Sequence, residues 1–316
     1  MASIDALDGR SAESEPGFPR SDPARTPVYR PSSHPPGALR YGWDGVRYVL
    51  LALYVTLCLY PLLWMLSASL RTSAGVFSAG LSLWVDDPQW VNYQEIWQAA
   101  NVPRAAFVTI VITAVCMAVT ILTTSMTAFA VTRSDFPGRR LVMVALLTTF
   151  LIPGEMLIIP TFYINRTLNL IGEWRSVIAV ILVMTAGAQV FNIYLLIGHF
   201  RTLPAELYDA ALVDGETYFG MYRRIAFPLV RPALATIALL TFMGVWNAYI
   251  IPLVYLAPLK DYQTLTIALI QYSKQFQTLY HIMAAGAVIT LVPVIVVFIF
   301  LQRYFVRGLT EGATKG

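Results

Sequence analysis

Six stretches of this chain run almost without charge: 48–70, 105–132, 141–164, 176–198, 233–253 and 282–301. A helix rises about 1.5 Å per residue, so roughly 20 apolar residues cross a hydrocarbon layer of about 30 Å. Each stretch is long enough to do so, and only the third carries an ionisable residue, Glu155. Over 316 residues the chain is 57% hydrophobic and 13% charged, with mean hydropathy +0.62. A soluble domain carries about 25% charge, and a disordered chain needs low hydrophobicity. Both classes are excluded, and the expectation is an all-α polytopic membrane protein with six transmembrane helices.

The basic residues give the direction. With the N-terminus inside, 16 of the 22 Lys and Arg fall in inner segments and six in outer ones. Both termini are therefore expected in the cytoplasm. The net charge of +4 follows from this topology and is no sign of nucleic acid. Residues 1–40 are rich in Pro, Ser, Arg and Asp and have no apolar period, so they read as a disordered cytoplasmic tail. The first apolar stretch starts too late and runs too long for a cleaved signal. Cys58 and Cys116 lie inside apolar stretches, which argues against a structural disulfide. His34, His199 and His281 stand far apart, and no Cys/His cluster has metal-ligand spacing.

Two outer segments carry aromatic residues. Segment 72–103 holds Trp84, Trp90, Tyr93 and Trp97, and Asn92, Tyr93, Ile96, Trp97 and Ala100 share helical spacing. It reads as a short helix on the outer surface or as a contact for an extracytoplasmic partner. Segment 255–280, with Lys260, Asp261, Gln263 and Lys274, reads as an outward loop.

The inner segment 199–232 is far longer than a helix connector needs, since such links take about 2–8 residues. Pro204 can open a helix, and Leu207, Ala210, Ala211 and Asp214 then share one face. Gly215 suits a left-handed C-cap and Thr217 a following N-cap. Tyr218, Met221, Tyr222 and Ile225 form an apolar stripe, Arg223 and Arg224 sit in the last turn, and Pro228 is expected to end it. The unit is helix, glycine, helix, with a small-residue face at Ala210 and Ala211 for close approach of a partner.

Asp209-Ala210-Ala211, three residues, Gly215, nine residues, then Ile225-Ala226-Phe227-Pro228 resembles the EAA signature of bacterial ABC importer permeases. Asp209 stands for Glu and Phe227 for Leu, keeping charge and apolar character. Glu206 and Asp214 also fit. So do Ser69-Leu70-Arg71, Asn92-Tyr93, Phe136-Pro137-Gly138-Arg139, Ile152-Pro153-Gly154-Glu155, Ile159-Pro160 and Trp246-Asn247. The ending Gly308-Leu309-Thr310-Glu311-Gly312-Ala313-Thr314-Lys315-Gly316 resembles the tail of MalG-like carbohydrate importer subunits, in which the tail reaches the ATPase interface.

The resemblance implies a type I ABC importer permease fold: a membrane domain over 41–316, a core of about 105–303, a coupling loop at 199–232 and a cytoplasmic tail at 303–316. It implies a bacterial cytoplasmic membrane, a second permease subunit, two ATPase subunits and an extracytoplasmic solute-binding protein. ATP and Mg would be used by the ATPase subunits, with no cofactor or metal on this chain. Glu206, Asp209, Ala210, Ala211, Asp214, Gly215, Ile225, Phe227, Pro228, Gly308, Gly312 and Lys315 would couple to the ATPases. The outer segment 255–280 would meet the binding protein, or be a plain solvated loop.

Glu155 lies between Pro153-Gly154 and Pro160, so a broken helix is expected there. It either lines the pathway or caps local backbone. Gln189, Asn192, Trp246, Asn247 and Tyr249 offer the amides and aromatic faces that bind sugars, or else the hydrogen bonds that join membrane helices. Two other functions compete. An ion-coupled secondary transporter needs intramembrane charges and has only Glu155. A membrane enzyme needs a nucleophile–base cluster, and none is evident. The lysines, Lys260, Lys274 and Lys315, do not follow a glycine, so the chain holds no Walker A loop of its own.

Overall fold

A computed structural model describes residues 38–78, 80–275 and 279–313. Of the tail expected over 1–40, residues 1–37 lie outside the described residues, and 38–40 open the first helix. The chain divides into two compact units. The described part of the first is segment 38–56, and the second takes in everything from Leu57 onward.

Helix α1 (Ala38–Ser69) begins ten residues before the expected apolar stretch, and its residues 44–69 are long and apolar enough to span a membrane. After the one-turn α2 (Gly75–Ser78) comes α3 (Val91–Ala99), the short helix that the aromatic spacing predicts. It does not merely lie on a surface. Asn92, Ile96 and Ala100 are buried, and Asn92 Nδ2 donates to the carbonyls of Ser69 and Arg71, both at 2.9 Å.

The axis of the second unit is α4 (Val102–Arg133). Asn101 before it takes a left-handed conformation (φ 44°), and Pro103 sits in the first turn, where its missing N–H costs nothing. Several of its buried hydroxyls bond backward along the helix, as Thr109 does to the Ala105 carbonyl and Thr124 to that of Thr120, while those of Thr113 and Thr120 have no partner among the described residues.

The third apolar stretch is broken, as its prolines require. Helix α5 (Arg139–Phe150) stops before Pro153, a 3₁₀ turn follows (Gly154–Leu157), and α6 (Ile158–Thr167) leaves at 91°. Helix α7 (Glu173–Thr202) carries the fourth stretch and packs along α4. Segment 203–230 then folds as α8 (Glu206–Val213), α9 (Tyr218–Met221), a π turn (Tyr222–Ala226) and α10 (Phe227–Leu229).

The fifth stretch is also divided. Helix α11 (Arg231–Trp246) ends at Asn247, whose side chain donates back to the Met243 carbonyl at 2.9 Å, and α12 (Ile250–Leu256) resumes after Tyr249. A 3₁₀ turn (Lys260–Tyr262) leads to α13 (Leu265–Gln275) and α14 (Tyr280–Ala313). Among the described residues three helices are single spans by length and hydropathy, and three bent pairs pass jointly, 139–150 with 154–167, 173–187 with 189–202 and 218–229 with 231–246, so six is the upper count.

Segment 255–280 is not a plain loop. Leu265, Ile267 and Ala268 of α13 are buried, and Thr109 Oγ1 on α4 accepts the Leu265 N–H at 2.9 Å. One apolar cluster joins α3, α13 and α14 around the N-terminal end of α4. Another, at the opposite end of α4, holds α7, α8, the π turn and α11. Helix α14 runs through 303–313 and takes Gly308 and Gly312 into the helix, while Lys315 lies outside the described residues.

Candidate functional site

The 206–229 unit is built by two capping devices. Helix α8 opens at Glu206 with Ala205 as its cap, so Pro204 lies just outside it rather than at its first position. Glu206 and Asp209 fall in the first turn, where the helix dipole favours carboxylates. At the other end Gly215 is left-handed (φ 78°). Its N–H bonds to the Leu212 carbonyl at 3.0 Å, and the Glu216 N–H to the Ala211 carbonyl at 2.9 Å. This is the paired 5→2 and 6→1 closure that ends a helix on glycine. Thr217 restarts the chain, with its Oγ1 accepting the Gly220 N–H at 3.1 Å.

Sidedness differs from the expectation. Ala210 is exposed, but Ala211 is only 7% exposed and packs inward with Tyr208. The small-residue face is therefore split. The outer face is made instead by Leu207, Leu212, Val213, Tyr218 and Phe219, with Val213 88% exposed. In the second half Met221, Tyr222 and Ala226 are buried, whereas Tyr218 faces outward. The π turn bears on the residues after Tyr222, not on Tyr218, which precedes it. Its wider winding turns Ile225 partly outward, though still packed against the cluster, while Ala226 stays enclosed. It also precedes Pro228, which has no N–H to donate, so the helical run continues to Leu229 instead of ending at the proline.

Beneath this unit, α4 presents Ser125, Phe129 and Arg133. The Ser125 and Tyr222 hydroxyls share a hydrogen bond of 2.8 Å. Phe129 meets the rings of Phe200, Tyr208 and Tyr222. Arg133 donates to the carbonyls of Phe200 and Leu203, both at 2.8 Å, and its guanidinium lies 4.1 Å from the Tyr208 ring centre. Burial pushes the Tyr208 hydroxyl up from its ordinary pKa, with the Arg133 charge opposing. Burial raises Tyr222 too, with the Ser125 bond opposing. Sequence reading had placed Arg133 only as an inner charge and missed Ser125 and Phe129. Their four-residue spacing beneath two tyrosines was the available signal.

The six residues considered for a solute pathway do not converge. Asn192 lines a cavity of about 390 Å³ between α7, α11 and α12, together with Gly187, Phe191, Thr241 and Gly244. Asn192 is buried, yet its side chain has no hydrogen-bond partner among the described residues, and neither has the Thr241 hydroxyl. Gln189 is engaged between helices: its Oε1 accepts from Thr123 Oγ1 at 2.9 Å and its Nε2 donates to the Thr185 carbonyl. Trp246 is buried away from the cavity, stacked on Phe242, with Nε1 donating to the Thr290 carbonyl at 3.1 Å. Asn247 is exposed at the break after α11, and Tyr249 is half-buried beside it. Glu155 is exposed in the 3₁₀ turn and has no ion pair or side-chain hydrogen bond among the described residues.

Comparison with known proteins places this architecture. The chain is 35% identical over 264 residues to the arabinooligosaccharides transport system permease protein AraQ of Halalkalibacterium halodurans, covering 82% of this chain and 92% of that one. It is 34% identical over 273 residues to the trehalose transport system permease protein SugB of Mycobacterium tuberculosis, covering 85% and 96%. A crystal structure of a bacterial ABC transporter involved in the import of the acidic polysaccharide alginate contains a chain with the same fold. Its TM-score is 0.73 at 23% identity, covering 85% of this chain and 98% of that one. Residues 120–311, from mid-α4 nearly to the end of α14, match the family described as binding-protein-dependent transport system inner membrane component, and the chain belongs to that family.

Proposed function

We propose that this chain is the permease subunit of an ATP-driven importer that moves a sugar or oligosaccharide across the bacterial cytoplasmic membrane. The observation that carries the reading is the 206–229 unit. A glycine-closed helix and a threonine-capped helix are held against α4 and α7, and apolar residues face outward. An exposed apolar face on a rigid unit suits a protein partner. In this reading that partner is an ATPase subunit, gripping α8 through Glu206, Asp209, Ala210, Asp214 and the exposed Val213. Residues 308–316 reach the same subunit. Both termini face the cytoplasm, following the distribution of Lys and Arg.

The importer pairs this chain with a second permease, two ATPase subunits and an extracytoplasmic solute-binding protein. The carbohydrate class rests on relatives named for arabinooligosaccharides and trehalose. Asn192 and Thr241, whose side chains line the cavity without a hydrogen-bond partner among the described residues, are the polar groups of this chain best placed to meet a hydroxylated solute. ATP and Mg belong to the ATPase subunits.

The test is reconstitution of the four kinds of subunit in proteoliposomes. Saccharide-loaded binding protein should stimulate ATP hydrolysis and drive uptake. Uptake driven by an ion gradient without ATP would overturn the reading in favour of a secondary transporter.

A further inference from the structure

The 206–229 unit is joined through the chain to α7 and α11 but not to α4. Side chains supply the missing connection. Ser125, Phe129 and Arg133 recur every four residues on α4 and so form one stripe, about 12 Å long. Ser125 holds the π turn through Tyr222, and Phe129 fills the space between Phe200, Tyr208 and Tyr222. Arg133 closes the stripe by touching two further elements at once. Its Nη2 takes two carbonyls at the end of α7, and its plane covers the Tyr208 ring on α8.

That use of an arginine is specific. Helix C-termini leave carbonyls unsatisfied and attract cations, so the α7 end is a natural seat for the guanidinium. A flat, delocalised cation can stack on an aromatic ring while its edge donates in the plane; an ammonium cannot do both. No ion pair of Arg133 with a carboxylate occurs among the described residues, so its charge is met by these carbonyls and this ring. Tyr208 has no alternative seat either, being 5% exposed and enclosed by Phe129. Displacing α8 by the width of a ring would strip Arg133 of the ring face.

We propose that Arg133 is a positioning residue of the coupling step, locking α8 through Tyr208 to the ends of α4 and α7 so that all three move as one body. The inference rests on the coupling role given above to the 206–229 unit. A push on α8 is then delivered to α4, the axis of the unit, and not only along the chain into α11.

The assembled transporter in proteoliposomes tests this by the solute moved per ATP hydrolysed. Arg133→Met and Tyr208→Leu should each lower that ratio at least about fivefold, the low end of typical coupling energies. ATPase subunits should still co-purify with both. The double variant should be no worse than the worse single one, because both remove the same contact. Tyr208→Phe, which keeps the ring face, should restore the ratio to within about twofold of the unmodified chain.

Unchanged ratios in Arg133→Met and Tyr208→Leu would overturn the proposal, as would losses that multiply in the double variant. If Arg133→Met does not assemble, the Tyr208 pair decides, and equal ratios for Tyr208→Leu and Tyr208→Phe refute it. Failure of the coupling reading itself looks different. In that case the unmodified chain does not retain the ATPase subunits, and the inference falls with it.

Discussion

Gly215 closes α8, and replacing it separates the backbone requirement from the docking requirement. Its φ of 78° lies where side chains with a Cβ are disfavoured, yet a Cβ built there meets nothing within 4 Å. The cost of alanine is therefore conformational alone, about 1 kcal/mol. That is roughly a fivefold rise in the opened population of the α8 end. Asparagine enters the left-handed region more readily and should cost less. Arginine carries the alanine penalty and also projects a long cation beside the exposed Val213 and Asp214. The expected order in hydrogen exchange at the Gly215 and Glu216 amides is glycine, then asparagine, then alanine and arginine together. The expected order in ATPase co-purification differs, since Gly215→Arg should lose the ATPase subunits while Gly215→Ala retains most of them. All variants should insert normally, because the spans are stabilised by their own packing. Equal exchange in Gly215→Asn and Gly215→Ala would refute the left-handed assignment. Full ATPase retention by Gly215→Arg with continued transport would refute the coupling assignment of this loop.

Gly220→Ala should act differently, because its Cβ would meet the Glu216 carboxylate at 2.6 Å and the ion pair of Glu216 with Arg224 must give way. With Arg224 largely exposed, the loss is below about 1 kcal/mol, and thermal unfolding should move only slightly. Tyr272 is pushed up to about 12 by burial and by the hydrogen bond and charge of Glu95. Its raised value makes a stabilising contribution that is complete below the ordinary 10 and lost as pH rises through about 12; Tyr272→Phe should abolish that part of the alkaline stability loss, read by unfolding against pH. Glu155→Gln should leave folding intact and change transport rate or solute preference; unchanged uptake of every solute tested would assign Glu155 to local backbone instead. Removing 308–316 should lower transport and ATPase stimulation while leaving membrane insertion unaltered, and wild-type uptake by the shortened chain would exclude that role for the tail.

Much of the fold was legible because its causes are local. Charge-free stretches give helices, Pro153 breaks the third, and Gly215 with Thr217 sets the turn between α8 and α9. What escaped depends on contacts distant in sequence. Trp246 looks like a sugar platform beside Asn247, but its indole is spent on Thr290, 44 residues away. Gln189 likewise reads as a pathway amide until Thr123 on α4 is placed against it. Asn192, three residues further along α7, faces a cavity, and its side chain has no hydrogen-bond partner among the described residues. A periodicity argument cannot separate those two amides, since both are polar residues in one apolar helix.

The π turn shows the same limit more sharply. A 3.6-residue period carried through 218–226 puts Tyr218 and Ile225 on one buried stripe. In the structure Ala226 is enclosed, Ile225 is only partly buried, and Tyr218, which precedes the wider turn, is exposed. Nothing in the composition of Tyr222-Arg223-Arg224-Ile225-Ala226 announces that turn. It is consistent with tertiary demand: Tyr222 reaches Ser125, Ala226 is fully enclosed, and Arg223 and Arg224 stay in solvent. In an unbroken α-helix Ile225 and Ala226 would both lie on the stripe of Tyr218 and Tyr222; here Ala226 is fully enclosed and Ile225 is only partly buried against the same cluster. The segment thus meets α4 through Tyr222 on one side while Tyr218 and Phe219 stay exposed on the other, the side on which the proposed partner would dock.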